Sequence, residues 1–271
     1  MAKLDLGAVQ ETLLLPLAAR AYDAESKYPI LNDQKALELF KQLVPDRKAF
    51  RRNLLKVGIV SLTERGWIMD RAVKDFLKRN PNGKVLNIGA GLETSFYRLG
   101  QPSVPWFDLD LPDSLALRKR LLPNKFNNVK YIGKSMFDES WMDDIGNISN
   151  GLMITVPGVF PYFDEKQVQL FFNTFAPKLK GAEIIFDVLS NASRLFVQRK
   201  INQAGMNKAT LDWGIMNPRH IEQWNQHIQF VKAYIYLQHP SFNAIGNPIY
   251  NFISWNSKFF KSAQIFHFKF V

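Results

Sequence analysis

The sequence predicts an α/β chain: a doubly wound, mostly parallel sheet of about seven strands, preceded by a helical cap and closed by an antiparallel C-terminal hairpin. Three observations predict it. Short apolar runs at 84–90, 104–109, 129–132, 151–157 and 182–189 alternate with helical stretches such as DSLALRKRLL and DEKQVQLFFNTFAPKL. Strands apolar throughout, rather than on every second residue, suit a parallel sheet covered on both faces. The first 80 residues carry helical periodicity, and the last two apolar segments, HIQFVKAYIYL and SAQIFHFKFV, are aromatic and β-branched.

Taken in order, VQETLLLPLAARAY and QKALELFKQL read as cap helices. SLTERGWIMDRAVKDFLKRN opens with Ser61 followed three residues later by Glu64, a capping box that predicts the helix start there. Ile68, Ala72, Phe76 and Leu77 then share one face, and Asn80-Pro81-Asn82-Gly83 ends the helix before the first strand. Later starts are marked by Pro112 in a first turn, by Asp164 with Gln167, and by Asn217-Pro218. In the final segment Ile265, His267 and Lys269 alternate with Phe266, Phe268 and Phe270, the period of an antiparallel strand. The division that follows is a helical cap over 1–80 and a catalytic-type α/β domain over 81–271, with an insertion near 190–225 between the fifth and sixth strands.

The totals narrow the function. Hydrophobic residues at 46 % and charged residues at 22 % describe an ordinary globular chain. With no cysteine, a disulfide framework and a thiolate zinc site are excluded, and a reducing cytoplasm suits the chain. His220, His227, His239 and His267 show no metal-binding spacing, so no metal is expected. The N-terminal residues lack the apolar run of a signal peptide, and nothing approaches the roughly 18 to 20 apolar residues of a membrane span. Of the formal net charge of +11, +7 falls after residue 187, where the acids are Asp212 and Glu222 alone. A positive C-terminal third attracts nucleic acid, a membrane surface or a small anionic substrate, and without a Lys/Arg block or an RNP-like signature nucleic acid is the weakest of the three.

The ligand loop is KVLNIGAGLETSFYRLG, where a buried strand runs into Gly89-Ala90-Gly91. In open parallel sheets, ligands bind beyond the carboxyl ends of the strands where strand order reverses, and glycine there lets a ligand approach the backbone. Asp110 ends the next apolar run, nineteen residues after Gly91, where a carboxylate can accept both hydroxyls of a ribose. A dinucleotide loop would carry a third glycine where this chain has Thr94, and the charge of Glu93 beside it repels a pyrophosphate but attracts a sulfonium. The loop therefore suits S-adenosylmethionine better than NAD. An NAD-dependent oxidoreductase and a protein that binds the nucleoside without catalysis stand as alternatives.

VLNIGAGLETSFYRL, WFDLDLP with a basic helix after it, FDESW and GVFPYFDEKQV, in that order, resemble the leucine carboxyl methyltransferase family. Within it the chain is most similar to the bacterial branch resembling polyketide O-methyltransferases, a similarity that extends to ETLLLPLAARAYDAESKYPILND, RGWIMDRAVKDFL and WGIMNPRHIEQWN. The resemblance implies a Rossmann-like class I methyltransferase that uses S-adenosyl-L-methionine to methylate a carboxylate or hydroxyl of a small molecule. By the family's motifs, Arg65 would hold the methionine carboxylate, Gly89, Ala90 and Gly91 would approach the cofactor, and Asp110 would take the ribose. Ser135 and Met136 would flank the adenine, with Asp138 close by. The chain departs from the family pattern at Ser95, where an arginine is usual, and at Pro157, where the family has a glutamate. On the acceptor side the candidates are Tyr162, Arg194, Arg199, Trp213 and His220, with Lys200 and Phe196 as neighbours.

Overall fold

In the computed structural model, residues 8–52, 56–203, 209–236, 239 and 263–271 are described. The elements run α1 (Ala8–Ala24), α2 (Gln34–Leu43), α3 (Arg47–Arg52), α4 (Lys56–Arg79), β1 (Lys84–Ile88), α5 (Ser95–Arg98), β2 (Trp106–Asp110), α6 (Pro112–Leu121), β3 (Val129–Gly133), α7 (Trp141–Ile145), β4 (Leu152–Val156), a 3-10 turn (Phe160–Tyr162), α8 (Glu165–Phe175), β5 (Glu183–Leu189), α9 (Asn191–Gln203), α10 (Pro218–Glu222), β6 (Ile228–Ile235) and β7 (Ala263–Phe270). The seven strands form one sheet in the order β3-β2-β1-β4-β5-β7-β6. β1 to β5 are parallel, and β7 joins β5 and β6 antiparallel. Strand order reverses between β1 and β4, which makes their carboxyl ends the switch point of the sheet.

The inner parallel strands β1, β2, β4 and β5 are mostly apolar on both faces because both faces are covered, while the edge strand β3 exposes Lys130. Val85, Trp106, Met153 and Ile185 pack against Ile68, Met69, Ala72, Val73 and Phe76 of α4. Leu86, Phe107, Ile154 and Phe186 meet Trp141 and the Val168, Phe171, Phe172 and Phe175 stripe of α8. A third cluster joins α1 and α2 to Leu92 and Leu117. None of the described helices is long and apolar enough to cross a membrane.

The local start signals hold at three helices. Pro112 occupies the first turn of α6, Asp164 and Gln167 form a complete capping box on α8, and Asn217 caps α10. The fourth is a correction: Ser61 and Glu64 lie inside α4, which begins at Lys56. Ile59 and Val60 already pack against the buried clusters, so tertiary contacts extend the helix past its apparent cap.

Candidate functional site

Four polar side chains interrupt the apolar strands on the face that α4 covers, all toward the carboxyl ends. They are Asp108 on β2, Asn87 on β1, Thr155 on β4 and Asp187 on β5, and each is buried. The register pairs Asn87 with both Asp108 and Thr155, so these three stand in a row. Thr155 Oγ1 donates to Asn87 Oδ1 at 3.2 Å, and Asn87 Nδ2 donates to Asp108 Oδ1 at 3.1 Å. Buried polar groups persist only when bonded, and this row is bonded throughout.

Arg65 projects from α4 over the β4 end of the row. Its Nη1 donates to Asp187 Oδ2 at 3.0 Å, and Asp187 Oδ1 accepts the Gly158 amide. Burial would lower the guanidinium's pKa, but Asp187 more than offsets it and the group stays protonated. A β-carbon on Gly158, whose φ is +68°, would lie 2.6 Å from Arg65 Nη1, so glycine is required both by the turn and by the guanidinium above it. Arg65, Asn87, Glu93, Ser95, Thr155 and Pro157 share a small cavity with Arg20 and Arg98, closed on its apolar side by Leu62, Met69 and Val73. Pro157 brings no carboxylate to this rim, and Asp187 on the adjacent strand acts behind it, through Arg65.

The glycine turn follows β1. Gly89 and Ala90 donate to Leu109 O, and the Gly91 amide donates to Asp110 Oδ2 at 2.7 Å. Gly89 has φ +66° and Gly91 φ +39°. Asp110 also accepts the Leu111 amide and the Ser114 hydroxyl at 2.7 and 2.9 Å, while burial pushes its carboxyl above the usual carboxylate range. The glycine backbone is covered from outside: added β-carbons would meet Val159 Cγ2 at 2.2 Å from Gly89 and Leu13 Cδ2 at 2.6 Å from Gly91. The register pairs Asp110 with Gly133 at the end of β3, so the loop bearing Ser135, Met136 and Asp138 leaves the sheet beside Asp110. Met136 is buried and its carbonyl accepts from Trp141 Nε1, Ser135 is half-buried, and Asp138 is exposed.

Glu93, expected to offer a free charge to a sulfonium, is instead paired within the protein. Glu93 accepts from Arg20 Nη1 at 3.1 Å and Arg98 Nη1 at 2.6 Å. Burial alone would raise its carboxyl, but the two arginines and the Thr94 amide hold it well below the usual carboxylate range. The same arginines bind Asp33, and Arg98 also chelates Asp70, so the Glu93 charge is spent inside a buried network.

The acceptor-side candidates do not gather at the Arg65 cavity. Tyr162 ends the 3-10 turn that begins just after Val159. Arg194 donates to Leu211 O at 2.6 Å, Arg199 is exposed, and Phe196 and Lys200 are exposed beside it. Trp213 packs in the core against Phe160 and Trp224. His220 lies on the surface, its Nε2 2.8 Å from Glu165 Oε1. Sequence reasoning missed Asn87, Asp108, Thr155 and Asp187, although a polar residue inside an apolar strand was the signal that marked each. It also passed over Arg118, Arg20 and Arg98, whose partners lie on other elements.

The residues fit a methionine-bearing nucleoside in kind: glycines with left-handed backbone, a carboxylate at the end of the next strand and a protonated guanidinium across the switch point. Leu13 and Val159 lie over the turn, so a nucleoside would displace these two side chains.

Comparison with known proteins agrees. The family model for leucine carboxyl methyltransferase matches residues 14–176. The chain is 30 % identical over 246 residues to the tetracenomycin polyketide synthesis O-methyltransferase TcmP of Streptomyces glaucescens, covering 90 % of this chain and 88 % of that one. It is 25 % identical to the S-adenosyl-L-methionine-dependent methyltransferase dpfgK of Gibberella zeae, covering 81 % and 80 %. Among solved structures, a DUF574 family protein from Streptomyces avermitilis shares the fold with a TM-score of 0.56 at 16 % identity, over 94 % of this chain and 97 % of that one. With more than half its length matched by the family model and the switch-point geometry in place, the chain belongs to the leucine carboxyl methyltransferase family and is an S-adenosylmethionine-dependent methyltransferase.

Proposed function

We propose that the chain is an O-methyltransferase acting on a carboxylate or hydroxyl of a small, anionic or aromatic molecule. The observation that carries this reading is the 2.7 Å bond between the Gly91 amide and Asp110 at the switch point, which ties the glycine turn to the carboxylate suited to a ribose. The name of TcmP, an O-methyltransferase of polyketide synthesis, supports oxygen as the methylated atom. In this reading Arg65 holds the methionine carboxylate, Gly89, Ala90 and Gly91 line the backbone side of the cofactor, and Asp110 takes the ribose. Ser135, Met136 and Asp138 border the adenine.

When bound, the cofactor supplies a sulfonium methyl, the electrophile of an in-line displacement. The protein's part is position and the exclusion of water, and alignment alone is worth roughly 7–11 kcal/mol. A carboxylate acceptor is ionised at neutral pH and needs no base, whereas a phenol with a pKa of about 10 gains from one. Among the five acceptor-side candidates, Tyr162 stands nearest in sequence to Val159, which rests on Gly89, and we place it at the acceptor together with Arg194 and Arg199 of α9. Trp213, in the core, and His220, on the surface, serve this side indirectly, both resting against Trp224. The partner is a small molecule rather than nucleic acid, and the cysteine-free chain suits a reducing cytoplasm.

Thermal unfolding in the presence of S-adenosylmethionine, S-adenosylhomocysteine or NADH tests the reading. Stabilisation by the first two, lost in Asp110→Ala, is the expected outcome. Stabilisation by NADH alone would overturn it.

A further inference from the structure

One buried guanidinium ties the glycine turn to the interior of the sheet. Arg118, on the inner face of α6, is 2 % exposed, and its partner Asp108 on β2 is 1 % exposed. Nε and Nη2 donate to Asp108 Oδ2 at 3.1 and 2.7 Å. On the other side, Nη1 donates to Gly91 O at 3.0 Å and Glu93 O at 2.7 Å, with Ala90 O at 3.4 Å. The turn needs such a donor. The Ala90 carbonyl also accepts the Glu93 amide at 2.8 Å, whereas the Gly91 and Glu93 carbonyls are bonded through Arg118, and unsatisfied buried carbonyls are costly. A planar guanidinium reaches both sides at once, and a lysine cannot.

The bonds reach further than the turn. Asp108 Oδ1 accepts from Asn87 Nδ2 and from Trp106 Nε1, both at 3.1 Å, and Asn87 accepts from Thr155. Arg118 is thus the end member of the polar row that crosses β4, β1 and β2 and borders the Arg65 cavity. The peptide units around Gly91 are held at two points: its amide by Asp110, its carbonyl by Arg118. The angle at which Asp110 meets its own ligand is therefore set partly through Arg118.

We infer that Arg118 is a positioning residue for cofactor binding: through Gly91 it fixes the glycine turn and the orientation of the Asp110 carboxylate toward the ribose. The inference rests on the proposed nucleoside site. It assigns Arg118 no contact with the cofactor, and it predicts that the defect of an Arg118 variant lies at the nucleoside end of the ligand, away from the methionine end held by Arg65.

The test is isothermal titration of the full-length chain and of Arg118→Lys, Asp108→Asn, Arg65→Lys and Asp110→Ala with S-adenosylmethionine, S-adenosylhomocysteine and adenosine. For Arg118→Lys, Kd is expected to rise about tenfold for all three ligands, and KM for the cofactor to rise more than kcat falls. Arg65→Lys is expected to weaken the two amino acid conjugates and spare adenosine. Asp108→Asn breaks the same bridge from its other end and is expected to show the Arg118 pattern, so the inference stays testable if Arg118→Lys does not fold. A folded Arg118→Lys with a lower Tm but parental Kd values would make the residue purely structural and overturn the inference, while normal loss in Asp110→Ala would leave the site itself standing. A parent chain that binds none of the three would overturn both.

Discussion

The carboxylate of Asp187 accepts a hydrogen bond from Arg65 Nη1 at 3.0 Å across 122 residues of sequence, and with its other oxygen it holds the amide of Gly158. The pair brings charge to the end of β4 from two elements that flank it, α4 and β5. Removing one member of a buried ion pair strands the other, which typically costs about 3–5 kcal/mol. Asp187→Ala is therefore expected to lose about 3 kcal/mol in urea unfolding. Asp187→Asn keeps an acceptor for Gly158 and should lose visibly less. Equal losses in the two variants would show that the charge facing Arg65 accounts for the whole effect and that the acceptor for Gly158 adds nothing.

Gly89 carries a second prediction. Its φ of +66° costs an L-residue about 1–2 kcal/mol, and its β-carbon would stand 2.2 Å from Val159 Cγ2. Gly89→Ala should destabilise through both terms. In a Val159→Ala background only the backbone term remains, so the double-mutant cycle should show coupling on the order of 1 kcal/mol. Strict additivity would mean that Val159 does not rest on the turn in solution.

The fold was legible because the inner parallel strands are buried on both sides. Runs such as VLNI and EIIFDVL are short and mostly apolar, with β-branched residues that favour strand, and Pro112, Asp164 and Asn217 mark helix starts by local chemistry. The turn and Asp110 were legible for a related reason, since glycine and a strand-ending acid are punctuation that local sequence displays. What stayed hidden depends on topology. Asp187 is defined by Arg65 and Arg20 by Glu93, and no local pattern joins residues that far apart. The same blindness produced the misplaced start at Ser61, where contacts of Ile59 and Val60 outweigh the cap motif.

Acid stability should depend on Glu183, at the opposite end of β5 from the site. Arg79 donates to both its oxygens, at 2.8 and 2.9 Å, and His267 Nε2 lies 2.9 Å away. Burial would raise the Glu183 carboxyl, but the bonds from His267 and Arg79 bring it down to about 2 from an ordinary 4.5. A folded value below the unfolded one gives stability that is complete above pH 4.5 and lost as pH falls toward 2. Arg79 is exposed on its outer side and screened by solvent, so the contribution is about 1 kcal/mol. The Tm deficit of Glu183→Gln against the parent should be full at neutral pH and shrink through that window. A deficit independent of pH would remove the titration from the account.

The last prediction concerns what the Glu93 charge does. Lying beside the glycine turn, a free carboxylate would favour a sulfonium over a neutral thioether, because the two ligands differ there by one positive charge. Bound by Arg20 and Arg98, Glu93 instead holds two guanidiniums in place and ties α1 to the turn, where Arg20 also donates to Leu92 O at 2.8 Å. Glu93→Gln keeps the shape and removes the charge. Two guanidiniums then face Asp33 and Asp70 alone, and stability should fall by about 2–4 kcal/mol, within the range for a broken buried network. The ratio of Kd values for S-adenosylmethionine and S-adenosylhomocysteine should stay at its parental value, since the charge was neutralised before the substitution. If that ratio shifts toward the neutral thioether by tenfold, the carboxylate acts on the ligand directly, and the network of Arg20 and Arg98 does not quench it.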